Sequence, residues 1–368
     1  HFSPKTAVTN DGSGDDTGCD DSSSQDSDDP NDKGGPTGDL SASRYVRPYT
    51  PLSYVVAFEN AATATLPVAQ AIVTDQLDPT KVNLSSLTLG DLSFATTVLS
   101  PPSGANSFNT TYSINSSLSV RIQGSLNPDT GLLKWTFTSI DPSTGMPPSD
   151  PTVGFLPPDA NGVEGQAAVV YSVMPQPGLT TGTQITNQAT VVFDANAPIN
   201  TPVWLNTIDA DPPVSSVSAL PATESSPNFT VSWGGSDVGS GIATYTIFVS
   251  DNGGPYIPWL TAVTITSATY NGQLGNTYAF YSIATDGAGN VQAPKTSPDT
   301  TTTIPIPMVG PCDVDNYGTV TISDVQQIIS EALGRAAAAN DLNGDRIVNV
   351  VDMQIVANAA LHLGCYDQ

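Results

Sequence analysis

Residues 312–364 read CDVDNYGTVTISDVQQIISEALGRAAAANDLNGDRIVNVVDMQIVANAALHLG, and they contain the same kind of unit twice. Each unit is a twelve-residue acidic loop, at 313–324 and 341–352, followed by apolar residues at helical spacing. Side-chain oxygens recur at alternate loop positions, which is the pattern that surrounds Ca²⁺ with about six to eight oxygen ligands. The stretch therefore predicts two loop–helix units that bind Ca²⁺ and pack their apolar helix faces together.

The two loops differ in their predicted ligands. The second loop offers oxygens at positions 1, 3, 5, 7, 9 and 12 from Asp341, Asn343, Asp345, Ile347, Asn349 and Asp352. The first loop offers Asp313, Asp315, Tyr317, Thr319 and Asp324. Tyr317 stands where an acid or amide normally lies, so a carbonyl or water must replace that ligand and the second loop should bind Ca²⁺ more tightly. Arg346 occupies the turn position that Gly318 holds in the first loop, and a positive φ there costs about 1 kcal/mol or more.

The paired units resemble the dockerin module of cellulosomes and other bacterial extracellular proteins. Dockerins lack the helix before each Ca²⁺ loop and carry Asp rather than Glu at position 12, and both features are present here. The resemblance implies that loop positions 10 and 11 face a partner, which assigns that role to Ile322, Ser323, Val350 and Val351. The partner would be a cohesin-like β-sandwich domain on another protein or a neighbouring copy of the same chain.

The three cysteines are informative by position. Cys312 and Cys365 bracket the paired units, whose pseudo-symmetry brings the two ends together, so we predict a disulfide between them and an oxidising compartment. Cys19 then has no partner within the chain. It is either a free thiol in a flexible tail or a link to another chain.

Composition narrows the class of protein. The net charge is −25, with only ten Lys and Arg residues among 368, which excludes nucleic acid and anionic membrane as natural partners and favours cations. No apolar run approaches the roughly 20 residues of a membrane helix, so membrane insertion is not expected. Abundant Thr, Ser, Asn, Gly and Pro with few Lys and Glu are typical of an extracellular all-β protein.

The first 40 residues form an acidic, Gly- and Ser-rich segment whose composition predicts disorder. Bound Ca²⁺ could order it, and a plain acidic linker is the alternative. The chain begins at His1 without Met, which predicts a processed product or a fragment.

Residues 41–209 carry short alternating or apolar runs between Pro, Gly, Asn and Asp breakers, which predicts a β-sandwich. Six such runs are SYVVAFEN, AQAIVTDQL, LSVRIQG, LLKWTFTSI, AAVVYSV and QATVVFD. The acids at strand ends should mostly be turn residues, with a minority holding structural Ca²⁺: Asp75, Asp78, Asp141, Asp150, Asp159, Asp194 and Asp209. DPNDKGGPTG and the YVVAFEN core resemble an Ig-like module of large bacterial surface proteins, which implies a scaffold without catalytic activity.

Residues 210–304 resemble a fibronectin type III or Ig-like domain, with Trp233 as the core tryptophan and Tyr278 in the tyrosine-corner position. Residues 305–310 are a linker, and 311–368 complete the dockerin-like domain. The predicted fold class is thus mainly β, with two β-sandwich (Ig-like) domains in tandem and a small α-helical Ca²⁺-binding domain.

The sequence contains no recognisable combination of catalytic residues, so we expect a protein without enzymatic activity. The chain has two histidines, His1 and His362, few glutamates, and no phosphate loop or zinc cluster. Two hypotheses follow. The first is an extracellular structural or adhesion protein, secreted or on the cell surface, that assembles through the Ca²⁺ module, head to tail into filaments. The second is the accessory end of a cellulosome-like polysaccharide-degrading enzyme whose dockerin binds a separate cohesin.

Overall fold

The computed structural model describes residues 31–305 and 310–365. Cys19 and residues 1–30 of the predicted acidic segment 1–40 lie outside these residues, whereas residues 31–40 are described and include a strand at 32–34 in place of the predicted disorder. The chain divides into two compact units, one formed by 1–214, 235–244 and 284–293, and the other by 215–234, 245–283 and 294–368. No helix of the described part is long and apolar enough to cross a membrane.

The first β-sandwich contains fourteen strands, β1 to β14, in three sheets. The five-stranded sheet has the order β1 (Asp32–Gly34), β3 (Leu52–Glu59), β10 (Gln166–Pro175), β5 (Val82–Phe94) and β6 (Thr97–Leu99). The six-stranded sheet has the order β13 (Ile199–Asn200), β12 (Ala189–Phe193), β4 (Gln70–Gln76), β9 (Leu132–Ile140), β8 (Ser119–Leu126) and β7 (Ser107–Ser113). The small sheet has the order β11 (Gln184–Asn187), β14 (Trp204–Ile208) and β2 (Tyr45–Val46).

Alternate residues of the strands form the core of this sandwich, because successive side chains of a strand point to opposite faces. Phe58 of β3 meets Phe137 of β9 edge to face, with ring centroids 5.8 Å apart. Trp135 is 1% exposed and lies opposite Gly124 in the β8–β9 ladder. A Cβ on Gly124 would lie 2.2 Å from the indole, so the large ring requires glycine at this position.

The remaining strands form two sheets, as a fibronectin-like sandwich predicts. One sheet has the order β15 (Val214–Val217), β16 (Asn228–Ser236) and β19 (Ser267–Asn271). The other has the order β18 (Ile257–Val263), β17 (Ile242–Asp251), β20 (Thr277–Asp286) and β21 (Thr300–Thr303). Trp233 is buried, and its indole N–H donates to the carbonyl of Ile265 at 2.9 Å. The hydroxyl of buried Tyr278 accepts a 2.8 Å hydrogen bond from the amide of Gln273.

Replacing Tyr278 with Phe should destabilise this sandwich by about 1–2 kcal/mol, because the amide of Gln273 loses its partner in a partly buried turn. Urea unfolding of the full chain measures the change. Tyr317→Phe is the control, since Tyr317 is 88% exposed and should leave the transition unchanged. Equal transitions for both variants would contradict the tyrosine-corner assignment.

Two helices follow, α1 (Ile322–Ala332) and α2 (Val350–Ala360). Their buried apolar residues form one cluster with the preceding segment: Cys312, Val314, Ile328, Ile355 and Val356. Leu333 and Leu363 continue the apolar spacing of the two helices in the sequence, but they do not join this core, because they are 60% and 56% exposed. Both lie past the ends of the helices, where the chain has left the helical path that the spacing assumed.

Two expectations about the first sandwich need correction. The sandwich begins with β1, ahead of the predicted boundary at residue 41, because Lys33 pairs with Val56 in the β1–β3 ladder. Asp75 is not a turn residue: it lies within β4, is 2% exposed and forms an ion pair with Lys33. By contrast, Asp78, Asp141 and Asp150 do build turns, since each accepts the amide two residues onward.

Candidate metal centre

The first acidic loop leads directly into α1 because one pair of residues serves both elements. Thr321, at loop position 9, is the N-cap of α1, and its hydroxyl accepts the amide of Ser323 at 3.1 Å. Asp324, at position 12, is the third residue of the helix and accepts the amide of Thr321 at 2.7 Å. This reciprocal capping box satisfies helix N–H groups that would otherwise have no partner.

The second loop repeats the arrangement. Asn349 caps α2 by accepting the amide of Val351 at 2.7 Å, and Asp352 accepts the amide of Asn349 at 2.8 Å. The other oxygen of each position-12 carboxylate accepts the amide of a residue near the start of the loop: Asp315 donates to Asp324 at 3.1 Å, and Leu342 donates to Asp352 at 2.7 Å. The closing carboxylate therefore holds both ends of each loop together.

The first loop gathers three carboxylates. Oxygens of Asp313, Asp315 and Asp324 all lie within 4.8 Å of one another. Asp313 is 5% exposed, and its Oδ2 accepts the amide of Gly318 at 2.9 Å. Its Oδ1 is buried without a hydrogen-bond partner among the described residues. A buried carboxylate oxygen of this kind is costly unless it is paired, and an oxygen-only donor set of three acids fits a hard divalent cation.

Burial and neighbouring groups shift the pKa values of two acids in this cluster in opposite directions. Desolvation raises the pKa of the Asp315 carboxyl, and the neighbouring carboxylates of Asp313 and Asp324 raise it further. Burial also works against ionisation of Asp324, but amide donors from Thr321 and Asp315 hold its pKa below the ordinary value. A bound cation would relieve the repulsion that otherwise favours a proton on Asp315.

In the second loop, Asp341 organises the turn. It accepts the amides of Gly344 at 2.8 Å and Arg346 at 2.6 Å. Arg346 has φ 74°, the left-handed conformation that its position in the loop predicts, whereas Gly318 has φ 100° at the equivalent place. Asn343 and Asn349 each donate an amide hydrogen to Asp345, so these three predicted ligands lie side by side.

The three remaining predicted ligands have exposed side chains. Tyr317 is 88% exposed and Ile347 is 63% exposed, and Thr319 is exposed as well. With their side chains exposed to solvent, each of these residues would contribute its main-chain carbonyl. Position 7 of the Ca²⁺ loop pattern uses a carbonyl in the same way.

A disulfide closes the module. Cys312 and Cys365 are bonded, with Cα atoms 5.9 Å apart and a sequence separation of 53. Cys312 is fully buried beside α2, where its sulfur lies 3.8 Å from the carbonyl oxygen of Ile355. The bond therefore ties the entry of the first loop to the segment after the second helix.

The predicted partner-facing residues lie at the start of the two helices. Ile322 is 69% exposed and Val350 is 70% exposed, at equivalent loop positions. Ser323 is exposed and Val351 is half-buried against the module's core. At the start of its helix, each pseudo-symmetric unit thus exposes one large apolar side chain.

A second cluster of acids lies in the unit that contains residues up to 214, and the sequence singled out only one of its members. Oxygens of Asp209, Asp237 and Asp286 lie within 4.8 Å of one another. Their hydrogen bonds shape loops: Asp209 accepts the amide of Ser240 at 2.7 Å, and Asp286 accepts that of Asn290 at 2.7 Å. Burial, together with the charge of Asp209, raises the pKa of Asp286. The signal available in the sequence was an acid at the end of, or directly after, each of three strands, in IDA, GSDVGSG and TDGAGN.

Comparison with known proteins gives limited information. Residues 153–207 match a family described as a domain of unknown function (DUF7619), and no curated protein matches the chain. The fibronectin(III)-like modules of Clostridium thermocellum CbhA share 9% identity over 71% of this chain and 88% of theirs, with a TM-score of 0.25. The C-terminal domain of the Streptococcus agalactiae AgI/II polypeptide BspA shares 15% identity over 70% of this chain and 94% of its own, with a TM-score of 0.31. BcpA, the major pilin subunit of Bacillus cereus, shares 11% identity over 71% of this chain and 65% of its own, with a TM-score of 0.27. At these values the similarities carry no argument for a particular function.

Proposed function

We propose that the chain is a non-catalytic extracellular structural or adhesion protein that assembles through its Ca²⁺-binding C-terminal module. The carboxylate cluster of the first loop carries this proposal, because three acids bring oxygens within 4.8 Å of one another and one of them, Asp313, has a buried Oδ1 without a hydrogen-bond partner among the described residues. Asp313, Asp315 and Asp324 would hold one ion with the carbonyls of Tyr317 and Thr319. Asp341, Asn343, Asp345, Asn349 and Asp352 would hold the other with the carbonyl of Ile347.

The extracellular assignment rests on the cysteines and on charge. A structural disulfide such as Cys312–Cys365 is stable in oxidising compartments and rare in the cytosol. Extracellular Ca²⁺ is abundant enough for sites of modest affinity, and the net charge of −25 favours cations as partners. These features together support a secreted or surface-bound protein.

Ca²⁺ binding would shape an interaction surface. The ion and the capping box share Asp324 and Asp352, so binding would fix the first turn of each helix and thereby the positions of Ile322 and Val350. The apolar burial of these two exposed side chains by a partner would contribute about 2–4 kcal/mol. A β-sandwich of the next copy of the chain is the occupant we favour, because a connector at one end of β-sandwich domains makes a head-to-tail contact, which builds filaments when it does not close.

The variant Val350→Asp with Val351→Asp should remain folded and bind Ca²⁺ but stay monomeric, because two charges on the contact surface oppose its desolvation. Light scattering of the full chain in Ca²⁺ and in chelator measures the particle mass. The matched control is Leu333→Asp with Leu361→Asp, since these leucines are 60% and 68% exposed in the same module but lie at the opposite ends of the two helices. The control should assemble in Ca²⁺ as the wild type does.

The outcomes separate the two modes of assembly. Monomers of the wild-type chain in Ca²⁺ at all accessible concentrations would contradict self-assembly. If that chain then binds a purified cohesin-type β-sandwich domain in Ca²⁺, the module connects to a separate protein, as in the accessory end of a polysaccharide-degrading complex. Assembly that persists in chelator would contradict the role of Ca²⁺.

A further inference from the structure

A lysine amine lies fully inside the first sandwich, against a carboxamide. Lys33 of β1 is 2% exposed, and its Nζ lies 2.8 Å from Oδ1 of Asn187, the last residue of β11. Lys33 also forms an ion pair with Asp75 of β4. Lysine is almost never fully buried, because removing an ammonium from water is expensive even when a carboxylate accompanies it. This cluster is separate from the Ca²⁺ module and does not depend on it.

Tyr171 of β10 completes the cluster. Its hydroxyl donates to Oδ2 of Asp75 at 2.5 Å and accepts from Nδ2 of Asn187 at 2.6 Å. The hydroxyl thus joins the carboxyl group to the nitrogen of the carboxamide. The other carboxyl oxygen, Oδ1 of Asp75, is buried without a hydrogen-bond partner among the residues that the structure describes.

The surroundings exclude water. Asp75 and Asn187 are 2% and 5% exposed, and Tyr171 is 1% exposed. The Tyr54 ring covers the amine, with its centroid 5.2 Å from Nζ. Competing hydrolysis is suppressed in such a site, and electrostatic interactions within it are strong.

Burial shifts both ionisable groups of the pair toward their neutral forms. Desolvation lowers the pKa of the Lys33 amine, although the charge of Asp75 partly opposes the shift. Desolvation raises the pKa of the Asp75 carboxyl, again against the attraction between the two groups. Proton transfer from Lys33 to Asp75 therefore removes two buried charges and leaves a free amine, which is a nucleophile.

We propose that Lys33 and Asn187 form an intramolecular isopeptide bond, in which Nζ of Lys33 replaces Nδ2 of Asn187 on Cγ and ammonia is released. The reaction converts one amine and one carboxamide into a secondary amide and ammonia, so it needs no oxidant, reductant or cofactor. The reacting groups are already in contact, which reduces the entropic part of the barrier.

The cluster supplies the proton transfers. Asp75 has already taken one proton from the Lys33 ammonium when Nζ attacks Cγ and the carbonyl becomes tetrahedral. The Tyr171 hydroxyl gives its proton to Nδ2, and Asp75 passes its proton to Tyr171. The carboxylate so formed accepts the second proton of Nζ while the Cγ–Nδ2 bond breaks, the carbonyl re-forms and ammonia leaves. Asp75 therefore ends the reaction as a neutral carboxyl group, and the product has no buried ion pair.

The bond would cross-link residues 154 positions apart in the chain. It would fasten β1, an edge strand of three residues in the five-stranded sheet, to the end of β11 in a different sheet. A covalent link between these strands opposes separation of the sandwich under force or heat, which suits a protein that serves as a structural element.

Intact mass spectrometry of the reduced, denatured full chain tests the proposal. The wild-type chain should weigh one ammonia less than its sequence in most molecules. Tandem spectra of a digest should contain a branched peptide that joins the segment with Lys33 to the segment with Asn187. Lys33→Met should restore the full sequence mass, and Asp75→Ala should abolish or greatly slow the loss of ammonia.

The matched control is Lys295→Met. Lys295 is the other lysine in an ion pair within the described residues, 2.6 Å from Asp299, and this variant should still lose ammonia. A wild-type chain at full sequence mass would overturn the proposal and leave a buried ion pair. Loss of ammonia without the branched peptide, as in succinimide formation at another asparagine, would overturn it too. Both decisive measurements use the wild-type chain, so the result does not depend on whether a variant folds.

Discussion

Removal of Ca²⁺ is expected to unfold the C-terminal module while both sandwiches stay folded. The module buries a small apolar cluster of five residues, so its hydrophobic core alone provides little stability. Its loops also contain crowded carboxylates, three of them within 4.8 Å in the first loop. Because an unfolded loop does not hold its ligands together, the free energy of the proposed Ca²⁺ binding would contribute directly to folding.

Hydrogen exchange of the full chain in Ca²⁺ and in chelator measures this effect. The amides of α1 and α2 should lose most of their protection in chelator, whereas those of β9 in the first sandwich and β20 in the second should keep theirs. If the amides of both helices are as protected from exchange in chelator as in Ca²⁺, the prediction of Ca²⁺-dependent folding is contradicted.

Single substitutions then separate the two loops. Asp345→Ala should weaken the second site by at least about tenfold, or about 1.4 kcal/mol, and leave the first site intact. Asp313→Asn should do the reverse, because it removes a charge from the first cluster. Asp129→Ala is the control, since this exposed acid lies outside both loops. Titration calorimetry of each full-length variant gives the two affinities, and identical sites in the wild type would contradict the predicted difference between the loops.

Loss of the Cys312–Cys365 disulfide should destabilise the module by about 4 kcal/mol, from the chain entropy of closing a loop with a separation of 53 residues. The double variant Cys312→Ser with Cys365→Ser avoids leaving one reactive thiol. Its α1 and α2 amides should exchange much faster in Ca²⁺ than those of the wild type, and more Ca²⁺ should be needed to restore protection.

Reduction of the wild-type chain provides the matched comparison, because it opens the bond without a substitution in the core. Reduced wild type and the double variant should show similar exchange in both helices. Mass mapping of the unreduced chain locates the bond independently. A disulfide between Cys19 and either of the other cysteines would contradict the assignment.

Much of the C-terminal module could be predicted from local sequence. The ligand spacing in 313–324 and 341–352 indicated two loops, and the structure places a capping box at the end of each. The positive φ of Arg346 follows from its place in the loop. Each of these features depends on residues only a few positions apart, so the local sequence pattern is sufficient to predict it.

Local sequence predicted some strands of the first sandwich but not all of them. Runs such as LLKWTFTSI and AAVVYSV were identified as strands, and they form β9 and β10. The thirteen-residue β5 was missed, because several of its positions are polar or glycine and its pattern of exposure is irregular. Its burial is decided by pairing with β10, which lies far along the chain.

By itself, the sequence determined the β-rich class, the paired acidic loops, the helices that follow them and the turns built by Asp78, Asp141 and Asp150. Only the tertiary structure decided which distant polar groups meet. Lys33, Asp75 and Asn187 come together because their three strands border one interior, although the outer two residues are 154 positions apart. Contacts between residues so far apart in the chain depend on strand order and register across the sandwich, and the local spacing of residues in the sequence does not specify them.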